Sequence, residues 1–345
     1  MPVTIQVHEK NRDEEFGILR KEVLFPMVPP IETPTKCVKN PPSTILPNAS
    51  INEVIKKITL KSIESIREGI DTPNKSIKPR FLPNKLNLTI FELMFDMVPD
   101  KDKIKSLTSY WYASSQSVLV LPTVTSTMLK EGKKLSDKKI FEYVGMMRYI
   151  IEITEAVGNH KAFIGTIPLL PPKYSKPIIE LYLEKGFTSF AIDVGTKDFL
   201  NHETDFRAIL TEINEEAPLN KAFIYACNLG IPQFEMYRAR ADDFLSLFAY
   251  VDGFGSTFKT RGSYKMPISK PKVKKFLRTE LCYEHIYDSR EKVNDFNQIE
   301  QVTEANLIRN LVGKEKMQKY LNTKKAVDSF AIKHLGSIAQ KVKIS

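Results

Sequence analysis

Four short apolar runs recur along the chain at a spacing that few folds accommodate. Residues 162–167 (AFIGTI), 189–194 (SFAIDV), 222–226 (AFIYA) and 251–254 (VDGF) begin 27, 33 and 29 residues apart. Each interval holds one strand and one helix, the unit that returns a chain to a parallel neighbour. Two further runs, 88–95 and 118–124, come before them, and helical patterns occupy 137–157, 173–185, 203–215 and 233–247. No GxGxxG or GxxxxGK[ST] occurs, so a dinucleotide-binding sheet is disfavoured and no cofactor is expected. The pattern predicts an α/β fold of the (β/α)8, or TIM-barrel, type, with function at the carboxyl ends of the strands.

What flanks these units differs in character. Residues 1–50 hold eight prolines, including Pro29-Pro30 and Pro41-Pro42, which predicts loop with short edge strands at most. Apolar residues at 51, 54, 55, 58, 63, 66 and 70 follow a helical period, with Ser50 as the cap. A last apolar stripe, Val327, Phe330, Ala331, His334, Leu335, Ile338 and Val342, predicts a C-terminal helix capped by Thr323. Lys324, Lys325, Lys333 and Lys341 lie off that stripe, facing solvent or a partner. Three parts result: a Pro-rich segment 1–85 packing on the barrel, strand–helix units over 86–258, and a basic appendage over 259–345.

Charge separates the last part from the rest. The net charge is +10, yet residues 1–258 carry 32 basic and 32 acidic side chains. Residues 259–345 carry 19 and 9, so the entire excess lies there. A neutral body with a basic end fits a polyanion partner and equally fits a solvated lysine face. Lys259, Arg261, Lys265, Lys270, Lys272, Lys274, Lys275 and Arg278 alternate with Phe258, Tyr264 and Phe276, a mixture suited to phosphates and exposed bases. Lys272 and Lys274 also fit the outward face of a strand over 271–277. Cys37, Cys227 and Cys282 are odd in number and far apart, giving neither a disulfide framework nor a local metal site. A charged N-terminus and short apolar runs predict a cytoplasmic protein without membrane association.

Small and polar residues cluster where the predicted strands stop. Gly165, Gly195, Asn228, Gly230 and Gln233 are candidates for holding a planar ligand, with the loop 228–233 reading its edge. Such residues are also ordinary in turns. Asp193 and Asp252 each follow apolar strand residues, and two carboxylates at one rim suit nucleophilic and acid–base work at a glycosidic carbon. Each is also a common capping residue. Cys227 reads as a small buried apolar side chain.

At these positions the chain resembles the tRNA-guanine transglycosylases, a (β/α)-barrel family, over roughly residues 16–320. Gly17 and the run Leu24-Phe25-Pro26-Met27-Val28 resemble the family's opening turn and Phe-x-Pro-Val strand. Residues 186–192 (GFTSFAI) are similar to its Gly-Phe-Asp-Gly-Tyr-Ala-Ile strand, and Asp193-Val194-Gly195 stands where a base-accepting glycine pair follows. Val251-Asp252 resembles the Phe-Asp dipeptide that carries the nucleophile, and Thr260-Arg261 the family's Pro-Thr-Arg. The zinc ligands are missing: Cys282 alone survives of CxCxxC, and Ala305-Asn306-Leu307 replaces His-Asn-Leu, so no metal is expected. The Asp-Ser-Gly-Gly-Phe motif is also absent, the region 88–95 reading LTIFELMF.

The resemblance implies an enzyme that exchanges or modifies a nucleobase in RNA or DNA. Asp252 would attack C1′, Asp193 would manage protons, and the partners would be tRNA or DNA and a free nucleobase or deazaguanine-like base, with a homodimer left open. Two other readings stand beside it: a non-catalytic nucleic-acid-binding or accessory barrel, and a small-molecule barrel enzyme.

Overall fold

The computed structural model describes residues 3–39, 49–125, 127–158, 160–258 and 271–342. It is a mixed α/β fold whose centre is two arrays of parallel strands. One array runs Thr35–Lys36, Gly253–Phe254, Phe223–Cys227, Ser189–Asp193, Ala162–Pro168 and Val118–Val120 in hydrogen-bonded order. The other runs Val38–Lys39, Ile51–Ile58, Leu86–Leu93 and Thr123–Val124. The arrays adjoin at both ends through the same stretches of chain. Cys37 alone separates the first pair of end strands, and Leu121-Pro122 the second. Leu121 N donates to Ile164 O at 2.9 Å on one side, and Thr125 N to Leu93 O at 3.1 Å on the other.

Helices follow four of the strands in the expected rhythm, at Lys101–Ser114, Asp137–Ala156, Pro172–Glu184 and Glu203–Glu216. Each of the first two starts where a side chain satisfies an orphan amide: Asp100 accepts from Lys103 N and Ser136 from Lys139 N. One apolar layer fills the space between helices and strands, with Trp111, Tyr143 and Tyr182 fully buried in it. A second lies on the opposite strand face, where Leu88, Ile90, Val120, Ile164, Ala191 and Tyr225 meet.

Three of the expected elements give way. Residues 51–58 are a strand rather than the first half of a helix. Ile51, Val54 and Ile58 are buried in a strand between two parallel neighbours, and the helix begins only at Leu60, capped by Thr59. The N-terminal segment holds substantial strands, Gln6–Asp13 and Ile18–Leu24, in an antiparallel sheet with Ile31–Thr33. Its prolines lie outside those strands, so counting them over fifty residues hid two proline-free stretches. Residues 233–247 hold a strand, Arg238–Arg240, and one short helix, Asp242–Leu245, because the strand is claimed by a distant partner at 282–284. The segment 1–85 therefore supplies parallel strands of its own as well as packing on the others.

The C-terminal part forms a three-stranded antiparallel sheet, Arg238–Arg240, Cys282–Tyr287 and Lys272–Leu277, covered by the helix Arg290–Leu311. Asn297 of that helix pins the edge strand, accepting from Phe276 N and donating to Lys274 O, both at 2.7 Å. The last helix, Ser329–Lys341, is capped by Asp328 rather than Thr323. Lys324 is buried against Glu304 and donates to Arg278 O, so it faces neither solvent nor a partner.

Candidate functional site

Asp252 is the clearest departure from the expected site. It precedes its two-residue strand, Gly253–Phe254, and lies opposite Ile224. Asp193 ends its strand opposite Cys227. Three residues of strand separate these levels, about 10 Å along the chain direction. The two carboxylates therefore do not share a rim. Asp252 is 1% exposed and every oxygen is engaged: Lys21 Nζ and Ile224 N donate to Oδ2, both at 2.8 Å, and Thr33 Oγ1 to Oδ1 at 3.1 Å. Lys21 also donates to Leu219 O and Ala222 O. Burial pushes the Asp252 carboxyl up and the Lys21 ammonium down, while each partner opposes the other's shift. This carboxylate ties the N-terminal sheet to the strands at the level of Ile224, three residues short of the level at which Asp193 stands.

Asp193 is placed differently. Its Oδ1 accepts from Gly195 N at 2.9 Å and from Asn228 Nδ2 at 3.0 Å, while Thr123 Oγ1 donates to Oδ2. Burial pushes its pKa up, and these three donors work against that. Thr123 lies opposite Glu92 in the parallel register, so Glu92 joins the same end of the strands. Burial likewise pushes Glu92 up; Lys57 Nζ, 3.4 Å from Oε2, opposes the shift and the nearby Asp193 charge adds to it. Deeper in, Glu53 accepts from Tyr225 OH and, at 2.9 Å, from Ser256 N.

Gly195, Asn228 and Gly230 do gather around Asp193. Thr196 N donates to Asn228 O at 2.7 Å and Gly230 N to Lys197 O at 2.8 Å, which closes one post-strand loop onto the next. The approach requires Gly230, because a Cβ there would stand 2.1 Å from Thr196 O. Thr196 and Asn228 both hold left-handed backbone, φ 66° and 56°. For a β-branched threonine that conformation is strained, and such strain concentrates at functional sites.

Two other candidates do not join. Gly165 faces the helix layer, where a Cβ would meet the Tyr182 ring at 2.5 Å; its role is packing. Gln233 is exposed beside Glu235 and Arg238, lining a separate depression at the C-terminal sheet. Lys259, Arg261, Lys265 and Lys270 lie outside the described residues. Of the remaining cations, Lys274 and Lys275 stack over Phe234 and Phe296, and Arg278 pairs with Glu300 at 3.2 Å. Lys272 is exposed and forms no ion pair among the described residues.

Glu92, Thr123 and Glu53 escaped sequence reasoning. Glu92 carried a signal: it shares strand parity with Leu86, Leu88 and Ile90, so a charge falls on an otherwise apolar face. Glu53 was hidden by the helical reading of 51–58. Burial pushes the Cys37 and Cys227 thiols up, which keeps them protonated and unreactive. Among the described residues no group of three or more His, Cys, Asp or Glu is placed to hold a metal ion, and no helix is long and apolar enough to cross a membrane. No family model matches the chain, and no curated protein matches it either.

Proposed function

We propose that this chain exchanges or modifies a nucleobase in RNA or DNA on a (β/α)8-type barrel resembling the tRNA-guanine transglycosylases, with Asp193 as nucleophile. The adjoining parallel arrays, eight stretches of strand each hydrogen-bonded to two neighbours, support the barrel reading. The observation that carries the chemistry is the setting of Asp193: a carboxylate at a strand's carboxyl end, held by three donors between two post-strand loops, one of them strained at Thr196.

Asp193 attacks C1′ as the bond from C1′ to the base breaks, and that electron pair leaves with the base. Glu92, its pKa pushed up, supplies the proton the departing base takes. The incoming free nucleobase or deazaguanine-like base returns a proton to Glu92 and displaces Asp193 from the sugar. Carboxylates with unequal surroundings divide such roles readily. Lys272 and the basic segment beside it would meet phosphates; a homodimer is not required.

The test is nucleoside mass spectrometry of RNA and DNA from cells with the wild-type gene and with Asp193→Asn. A modified or exchanged base that disappears with Asp193→Asn, together with a covalent adduct to the wild-type protein, is the expected result. Unchanged nucleosides would sink the proposal. The engagement of Asp252 by Lys21 favours a second reading, a non-catalytic nucleic-acid-binding barrel, because the expected pair of rim aspartates is not formed. That reading predicts salt-sensitive binding equal in wild type and Asp193→Asn, without turnover.

A further inference from the structure

A cavity of about 370 Å³ lies between the carboxyl ends of the parallel strands and the C-terminal sheet, and Asp193 is not among its lining residues. Its polar wall is unusual. Lys36 and Asp243 are 3% and 7% exposed, yet no ion pair joins them among the described residues. The Lys36 ammonium has three donors, and its hydrogen bond among the described residues goes to Cys37 O at 2.9 Å; the Phe254 ring lies 4.7 Å away. Tyr283 OH donates to Asp243 Oδ2 at 2.6 Å and is itself held by Gln301 Nε2 at 2.9 Å. Asp243 Oδ1 is buried without a well-formed hydrogen bond among those residues, with only the adjacent amides of Asp243 and Phe244 and the Lys36 charge favouring the carboxylate.

Buried charges with unused hydrogen-bonding capacity are costly, and beside a cavity they specify what completes them. A group that accepts from the ammonium and donates to the carboxylate would complete both. The edge of a nucleobase does both. Ile231 and Val273 give the cavity apolar walls for the ring faces. Arg290, exposed and without an ion pair among the described residues, stands on the lining where an anion is matched by a guanidinium fork. The volume falls at the small end of ligand sites. We propose that this cavity is a nucleoside monophosphate site, the base edge bridging Lys36 and Asp243 and the phosphate meeting Arg290.

Calorimetric titration of the full chain with the four common nucleoside monophosphates, their nucleosides and inorganic phosphate tests this. At least one monophosphate should bind about tenfold or more tightly than both its nucleoside and phosphate. Lys36→Met and Asp243→Asn should each weaken it about tenfold, and Arg290→Gln should erase the advantage over the nucleoside. Arg290 is on the surface, so its variant decides the matter even where the buried substitutions impair folding. Monophosphate binding that depends on Arg290 in a chain showing no base exchange would uphold this site while the exchange reading fails, so the two failures are distinguishable. No binding at millimolar concentration, or binding indifferent to Arg290→Gln, overturns the site and leaves the cavity to ordered water.

Discussion

Lys21 Nζ and Asp252 Oδ2 stand 2.8 Å apart in a fully buried ion pair that ties an N-terminal strand to residues 231 positions later. Removing one member strands the other in a medium that cannot solvate it. Lys21→Met should therefore destabilise by about 3–5 kcal/mol, while Lys21→Met with Asp252→Leu should recover most of the loss. Urea unfolding of the three proteins checks this; equal destabilisation in single and double variants would refute it.

Thr123 is expected to set the protonation of Asp193. Its hydroxyl donates to the carboxylate, so Thr123→Val removes a contact that favours the charged form. The Asp193 pKa then rises further, and the acid limb of the exchange rate moves to higher pH. A pH–rate profile displaced the other way, or not at all, would count against Asp193 as nucleophile.

Gly230 and Gly165 give opposite expectations from similar crowding. Gly230→Ala forces apart the loops that hold Asp193, so turnover falls and stability drops by about 1–3 kcal/mol. Gly165→Ala meets the Tyr182 ring and lowers stability by a like amount, but leaves the substrate KM of the folded fraction unchanged. A raised KM in Gly165→Ala would restore that glycine to the ligand site.

Asp242 gives the fold a readable pH dependence. Burial pushes its carboxyl up to about 6, with Arg240 opposing the shift. The folded chain then holds this proton more tightly than the unfolded one. Between about pH 4 and 6 stability falls as pH rises, by at most about 1.4 kcal/mol per unit for this one group. Asp242→Asn should flatten the slope in that window, measured as the difference between the two proteins' guanidinium midpoints. Parallel curves would show that the group is not responsible.

Cations in the C-terminal part should contribute unequally to polyanion binding. Arg278 is already paired with Glu300, whereas Lys272 is exposed and forms no ion pair among the described residues. Lys272→Ala should lower the salt dependence of nucleic-acid binding by about one unit of slope, and Arg278→Ala by much less.

The recurring strand–helix interval was the most legible feature, because burial of parallel strands on both faces leaves continuous apolar runs. It located Ala162–Pro168, Ser189–Asp193 and Phe223–Cys227 to within a residue or two, and with them Asp193 at a strand end. Residues 51–58 carry both signals at once, because Ile51, Val54, Ile55 and Ile58 fit a helical period as well as a buried strand. The role of Asp252 was invisible for another reason. Val251-Asp252 announces an acidic residue near a strand, but its end of the strand is decided by Lys21, which no local pattern connects to it. Glu92 and Thr123 converge only through pairing across strands, a relation that sequence spacing does not carry.

One stretch of chain imposes an order on synthesis. Thr35–Lys36 pairs with Gly253–Phe254, while Val38–Lys39, just beyond Cys37, pairs with residues 52 and 53. At cellular elongation rates the first half waits roughly 10–40 s for a partner that the second half receives almost at once. Until then an open edge and an unneutralised Lys21 persist on the nascent polypeptide. A chain released early would remain adhesive rather than half-finished, and chaperone capture of fragments ending before residue 250 should exceed that of the full-length product.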